Sequence, residues 1–124
     1  MFKLKTKWFH KWTKKQKISD EMLLDAMRDL REGLSSSKLG NGLYKVRVSG
    51  KHQGKRSSFR TIVIFKEEDR MVMVYGFAKN EKENLTMNEL KHFKILAHDI
   101  LSLNETALQK AIEQKVFVPI GEAK

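Results

Sequence analysis

The sequence predicts an α+β fold: a small, mostly antiparallel, twisted sheet with two N-terminal helices and further helices at the C-terminus. One strand-like run precedes two amphipathic helical stretches, and three strand-like runs precede further helical stretches. Short polar segments separate the three consecutive runs, as is usual between antiparallel neighbours. With 124 residues, 40% of them hydrophobic, the chain can bury one modest core. We expect a single domain over residues 1–120 and a tail over residues 121–124.

The N-terminal part predicts a strand and two helices. "FKLK" alternates apolar and basic residues, so Phe2 and Leu4 should face the core. Thr6 can cap a first helix, and Ser19, followed by two acids, can cap a second, with Gly33 as its stop. The apolar stripes of the two helices are Trp8, Phe9 and Trp12, then Met22, Leu23, Ala26, Met27 and Leu30. "SSSKLGNG" is predicted to be a loop.

The C-terminal part predicts the strands "LYKVRVS", "SFRTIVIF" and "RMVMVYGFA". An acidic turn at Glu67–Asp69 should join the last two into a hairpin. Thr86 and Glu89 have the spacing of a capping box at the start of a longer helix. Asn104 can cap a last short helix, and "VFVPI" predicts a short edge strand that Pro119 terminates.

The distribution of charge indicates a polyanionic partner. The formal net charge is +10. Residues 2–19 contain seven lysines and no acid, and residues 33–66 contain eight lysines and arginines and no acid. Two segments of uniform sign form a continuous positive surface where they meet, which favours nucleic acid. The alternative is that the charge serves solubility alone, but the clustering exceeds what solubility requires.

Several classes of protein are disfavoured. The chain has no cysteine and therefore no disulfide or thiolate metal site. It has no apolar run of membrane-spanning length and no signal-peptide pattern, so we expect a cytoplasmic protein without a membrane partner.

"GKHQGKRSSFRT" approaches the phosphate-binding loop motif. However, Gly50 and Gly54 are one residue too close, and Lys55 leads into a strand rather than a helix, which argues against a nucleotide site.

Basic residues of the strands could converge on one face of the sheet. Lys45 and Arg47 alternate with apolar residues, so they should point away from a face that helices cover. Arg60 lies on a nearby strand, and Lys79 follows the third. RNA cleavage through the 2′-hydroxyl needs a base, a proton donor and cations for the charge growing on the phosphate. It needs no metal, and no histidine spacing favours one, so we expect no cofactor.

Further candidates flank these strands. His52 is the one histidine on a loop near them and could contact RNA directly. Arg60 could instead be structural, paired with an acid of the hairpin. Trp8 and Trp12 could stack on bases, but their helical spacing favours the core. The residues that we assign to RNA binding are Lys45, Arg47, Lys51, His52, Arg56 and Asn80.

Four segments together resemble the RelE/HigB-like toxins of bacterial toxin–antitoxin systems, in the branch with a C-terminal helical extension. They are "KTKWF", "LGNGLYKVRV", "GK…FRT" and above all "YGFAKNEKENLT", and the resemblance runs from Phe2 to about Ile120. It implies a small ribonuclease that cuts messenger RNA, often in the ribosomal A site. It also implies a cognate antitoxin, usually with a helix-turn-helix domain. The toxin would contact operator DNA only through this antitoxin.

The resemblance also implies catalytic residues. Lys55 and Arg60 match the basic residues that flank the family's glycine-rich turn, and Lys79 matches the lysine after the last strand. Lys45 and Arg47 match basic strand positions.

One segment departs from the family pattern. The branch commonly has Gly-Lys-Ser-Gly-Gly-Tyr-Arg where residues 54–60 are "GKRSSFR". Two glycines are lost, and Phe59 lacks the hydroxyl of tyrosine. We expect RNA binding to survive this change, whereas its effect on catalysis stays open. The alternatives are a non-catalytic relative that binds nucleic acid or a topoisomerase, and a module whose basic face only receives an acidic antitoxin segment.

Overall fold

A computed structural model describes residues 1–49 and 58–121 of the chain. Within them the α+β prediction is confirmed. The elements are β1 (Phe2–Thr6), α1 (Lys7–Gln16), α2 (Asp20–Arg31), β2 (Ser36–Gly40), β3 (Leu43–Ser49), β4 (Ser58–Lys66), β5 (Arg70–Ala78), α3 (Met87–Ser102), α4 (Glu105–Glu113) and β6 (Phe117–Pro119). None of the helices in this part of the chain is long and apolar enough to cross a membrane.

The strands form one sheet in the order β2-β3-β4-β5-β1-β6. Its neighbours pair antiparallel, including the predicted β4–β5 hairpin, except that β1 and β5 are parallel. Leu4 of β1 pairs with Val72 on one side and with Pro119 of β6, the predicted edge strand, on the other. Because β1 continues directly into α1, this inner position places α1 against β5.

The predicted helix starts are confirmed. Thr6 accepts a hydrogen bond from the backbone N–H of the third residue of α1, and Ser19 and Asn104 do the same for α2 and α4. Thr86 and Glu89 form the predicted capping box of α3. These side chains satisfy backbone donors that the first turn of a helix leaves without partners.

The prediction of a loop over residues 35–42 is wrong. Ser36–Gly40 form β2, which pairs antiparallel with β3. Asn41 and Gly42 connect the two strands with φ angles of 57° and 78°. Positive φ at both positions is what a two-residue type I′ hairpin turn requires, and Asn-Gly is its strongest sequence signal. The turn chemistry, rather than the hydrophobicity of the flanking residues, defines this strand.

The expectation that helices cover only one face of the sheet is also wrong. α1 and α2 pack Phe9, Leu23 and Met27 on one face, while α3 and α4 pack Phe93 and Leu108 on the other. The second face needs this cover because apolar residues occupy most of it. They are Leu4, Leu43, Ile62, Ile64, Val72 and Val74. The basic residues Lys45, Arg47 and Arg60 lie on the same face, next to these apolar residues along β3 and β4.

A partly buried ion pair links β1 to α2, and its carboxylate also binds the chain after β6. Lys5 of β1 is only 4% exposed, and its Nζ lies 2.9 Å from Asp20 Oδ1. The other oxygen of Asp20 accepts the backbone N–H of Gly121 at 2.9 Å. Burial alone would raise the pKa of Asp20, but the hydrogen bonds from Gly121 and Lys5 outweigh it and lower that pKa. The carboxylate therefore stays ionised beside Lys5.

Close packing between α1 and β5 occurs at Gly76. A Cβ atom at this residue would lie 2.4 Å from Cζ3 of Trp12, which is closer than side-chain atoms can approach. Trp12 is buried and meets Phe59 edge-on, with the ring centroids 5.5 Å apart. The missing side chain at residue 76 therefore sets how closely α1 approaches the sheet.

We predict that Gly76→Ala lowers the free energy of unfolding by about 1–3 kcal/mol, because the added methyl group overpacks the contact with Trp12. Urea unfolding measures the change. The double variant Gly76→Ala/Trp12→Phe should lose less than the sum of the single variants, since the smaller ring relieves the clash. Ser37→Ala on exposed β2 is the control and should change stability by less than about 0.5 kcal/mol. If Gly76→Ala is as stable as the wild type, residue 76 does not limit the approach of Trp12 to the sheet.

Candidate nucleic-acid interface

Two arginines lie opposite one another at the end of the sheet. Arg47 of β3 and Arg60 of β4 are direct Cα partners, and Lys45 lies two residues along, opposite Ile62. Like charges directly across a strand pair destabilise the pair by a few tenths of a kcal/mol or more. This arrangement is therefore better explained by an anionic ligand than by stability of the sheet.

Lys79 joins these arginines through Ser58. The backbone N–H of Lys79 donates to the carbonyl oxygen of Ser58 at 3.2 Å. Nη1 of Arg60 donates to the hydroxyl oxygen of the same serine, also at 3.2 Å. Arg60 is half-buried, whereas Lys79 and Asn80 are exposed. The four basic residues Lys45, Arg47, Arg60 and Lys79, which we call the basic cluster, are thus brought to one end of the sheet.

The alternative of a structural ion pair for Arg60 finds no support in the described residues. Within 1–49 and 58–121, no carboxylate lies at ion-pair distance from Arg60, Arg47 or Lys79. Lys45 Nζ donates to Asn84 Oδ1 at 2.7 Å, a bond to a neutral amide that leaves its charge uncompensated. The same part of the chain has no group of three His, Cys, Asp or Glu side chains placed to hold a metal ion.

Four predicted site residues lie outside the described part of the chain: Lys51, His52, Lys55 and Arg56. The segment that carries them connects Ser49 to Ser58, which are partners at the end of the β3–β4 pair. Ser58 is also the residue that contacts Arg60 and Lys79.

A second group beside the basic cluster was not identified from the sequence. Nζ of Lys82 lies 2.6 and 2.8 Å from the two oxygens of Glu89, and it sits over the rings of Tyr75 and Phe77, 5.6 and 5.5 Å from their centroids. The hydroxyl of Tyr75 donates to Glu89 at 3.3 Å. Phe77 is the β5 partner of Arg60, so this group adjoins the basic cluster.

A comparison with protein families shows to which family the chain belongs. The family described as the RelE toxin of the RelE/RelB toxin–antitoxin system matches residues 1–120. The protein belongs to the RelE toxin family. A toxin of such a system has a cognate antitoxin as its partner. The comparison with curated proteins finds no match.

Both members of the Lys82–Glu89 pair of this RelE-family toxin are held in their charged forms. The hydrogen bond from Lys82, and then the backbone N–H of Thr86, lower the pKa of Glu89 below its ordinary value. The same contact with Glu89 raises the pKa of Lys82. The charge of Lys82 is therefore compensated by a carboxylate, whereas the basic cluster has no carboxylate partner in residues 1–49 and 58–121. The contacts of Lys82 link the segment between β5 and α3 to Glu89 and Tyr75.

The sequence contained only part of the signal for this group. The capping box identified Glu89, and the strand pattern identified the strand that carries Tyr75, which is half-buried. Tyr75 and Phe77 alternate along β5, so they share a face with Arg60 once the hairpin register is known. The contact of Lys82 depends on the path of an irregular segment, for which no local rule exists.

We predict that Glu89→Gln lowers the stability of the toxin by about 0.5–1 kcal/mol near neutral pH, because glutamine keeps the capping box but loses the ion pair. Folding lowers the pKa of Glu89 from 4.5, so its stabilisation is full above that value and is lost as the pH falls through the lower folded-state pKa. Urea unfolding at about pH 7 and about pH 3 tests this. If wild type and Glu89→Gln differ in free energy of unfolding by the same amount at both pH values, the ion pair between Lys82 and Glu89 does not stabilise the toxin.

Proposed function

We propose that this toxin is a metal-independent endoribonuclease that cuts ribosome-bound messenger RNA and so inhibits translation. The observation that supports it most directly is the direct pairing of Arg47 with Arg60 beside Lys79, without a carboxylate partner among the described residues. Membership in the RelE toxin family supports the toxin role. Cations placed on paired strands are preorganised for the charge that develops on a phosphate during cleavage.

The proposed reaction uses the RNA's own hydroxyl. The 2′-oxygen attacks the adjacent phosphorus, the bond to the 5′-oxygen breaks, and the products carry a 2′,3′-cyclic phosphate and a 5′-hydroxyl. Arg60 has a planar fork that suits two phosphate oxygens, and its strand fixes the position of the fork. In this proposal the neutral amine form of Lys55 accepts the proton of the 2′-hydroxyl, and the ammonium group of Lys79 donates a proton to the departing 5′-oxygen. The residues that hold the RNA are Lys45, Arg47, Lys51, His52, Arg56 and Asn80.

A second candidate is a relative that binds RNA, or another partner, without cutting it. The observation that favours it is Ser58, at a position where the resembling branch has glycine. Its hydroxyl accepts a hydrogen bond from Arg60 at 3.2 Å and so occupies one of the donors that a phosphate would need. Because a phosphate oxygen is a charged acceptor and the serine hydroxyl is neutral, we expect the phosphate to compete successfully for Arg60.

We predict that Arg60→Ala lowers the rate of RNA cleavage by about 100-fold, the effect of removing one preorganised donor to a transition state. Arg60→Lys should recover only part of the rate, because an ammonium group cannot contact two oxygens in one plane. Cleavage of a labelled messenger RNA, with and without ribosomes, measures both variants. Lys110→Ala, on exposed α4, is the charge-matched control and should cleave normally.

Thermal melts of the same variants separate catalysis from folding. If Arg60→Ala cuts RNA at the wild-type rate, or loses activity only because it unfolds, the basic cluster is not the active site.

A further inference from the structure

Trp8 is an exposed aromatic side chain next to the basic cluster. The prediction that the tryptophans of α1 belong to the core is right for Trp12, which is 9% exposed, and wrong for Trp8, which is 48% exposed. The other large apolar side chains that are exposed in residues 1–49 and 58–121 are aliphatic: Met1, Leu34, Met87, Ile95 and Val116. An exposed tryptophan among lysines has no explanation in the packing of the core.

The ring of Trp8 is held in place by two neighbours. Its centroid lies 5.0 Å from that of Tyr75, with an angle of 32° between the planes. Trp12 is nearly parallel to it, at 12°, but 6.2 Å away. Parallel rings whose centroids lie roughly 4.5–7 Å apart are offset, so Trp12 overlaps only part of the indole. Trp8 is 48% exposed, so the part of its ring that these neighbours leave uncovered is open to solvent, in an orientation that they fix.

The exposed neighbours of Trp8 on its own helix are basic. Lys7 and Lys11 are exposed on the same helix, and no acid occurs in residues 2–19. A chain of ring contacts joins Trp8 to the basic cluster. Tyr75 touches Phe77, with centroids 6.0 Å apart, and Phe77 is the strand partner of Arg60.

We propose that Trp8 is a stacking platform for one base of single-stranded RNA whose phosphate backbone is bound by the basic cluster. This inference rests on the RNA-binding part of the proposed function. Stacking on an aromatic ring tolerates every base, because each base has a π-face. A ring that is fixed before binding loses little conformational freedom on binding, and lysines beside it can contact the flanking phosphates.

An exposed tryptophan also suits a protein partner, and an acidic polypeptide would match the same lysines. RNA is favoured because ring contacts join Trp8 to the basic cluster, so one strand can place a base on the ring and its phosphates on the cluster. The two partners differ in a measurable way. A base that stacks on the indole quenches its fluorescence, whereas an anion without bases does not stack.

The test uses 2′-O-methyl decauridylate, which cannot be cut through a 2′-hydroxyl, with polyphosphate and polyglutamate as anions without bases. Trp8 and Trp12 are the two tryptophans of the chain. The oligonucleotide should quench the wild-type fluorescence, and neither other anion should. Trp8→Phe should remove the quenching but keep the affinity within about threefold, because its ring still stacks. Trp8→Leu should weaken oligonucleotide binding by about tenfold.

Thermal melts accompany both variants, and the quenching of the wild-type protein needs no variant at all. Three results would overturn the proposal: equal quenching by polyphosphate, equal quenching by polyglutamate, or wild-type affinity of Trp8→Leu for the oligonucleotide. The second would identify Trp8 as a contact for an acidic polypeptide. Because the oligonucleotide cannot be cleaved, failure here leaves the nuclease proposal intact. Stacking without any cleavage of natural RNA would refute only the nuclease.

Discussion

The parallel pairing of β1 with β5 determines where α1, the Lys5–Asp20 pair and both tryptophans lie. It places the first strand inside the sheet, where Lys5 is buried and must be paired with Asp20 at the start of α2. Because β1 runs straight into α1, the same pairing lays that helix against β5 at Gly76. The position of α1 then sets the positions of both tryptophans. One of them fills the core, and the other remains exposed beside Tyr75.

The basic cluster continues the second face of the sheet beyond its apolar residues. α3 and α4 cover the apolar part of the second face, and beyond them the strands carry Arg47, Arg60 and Lys45. Arg47 and Arg60 are paired across neighbouring strands, and their like charges repel one another. This repulsion lowers the stability of the folded state, which the packing of the core must offset. An anionic ligand would remove the repulsion. A RelE-family toxin with such a surface therefore gains most from a partner that supplies several phosphates or carboxylates, which describes RNA and an acidic antitoxin segment equally well.

The sequence predicted those parts of the fold that local chemistry determines. Helix caps such as Thr6 and Thr86 and the turn at Glu67–Asp69 act within a few residues, and all were found. β2 was missed although Asn41 and Gly42 carried its turn signal, because its own residues are too polar to resemble a strand. The parallel partner of β1 could not be predicted, since nothing in "FKLK" specifies a strand that lies far along the chain. For the same reason the exposure of Trp8 and the contact between Lys82 and Glu89 required the tertiary structure.

Mapping RNA 5′ ends in cells that express the toxin alone reports both RNA cleavage and its chemistry, and so tests the proposed nuclease. Induction should create new 5′-hydroxyl ends within the coding regions of translated messenger RNAs, compared with uninduced cells. Growth arrest without new RNA ends, or new ends that carry a 5′-phosphate, would contradict cleavage through the 2′-hydroxyl at the basic cluster.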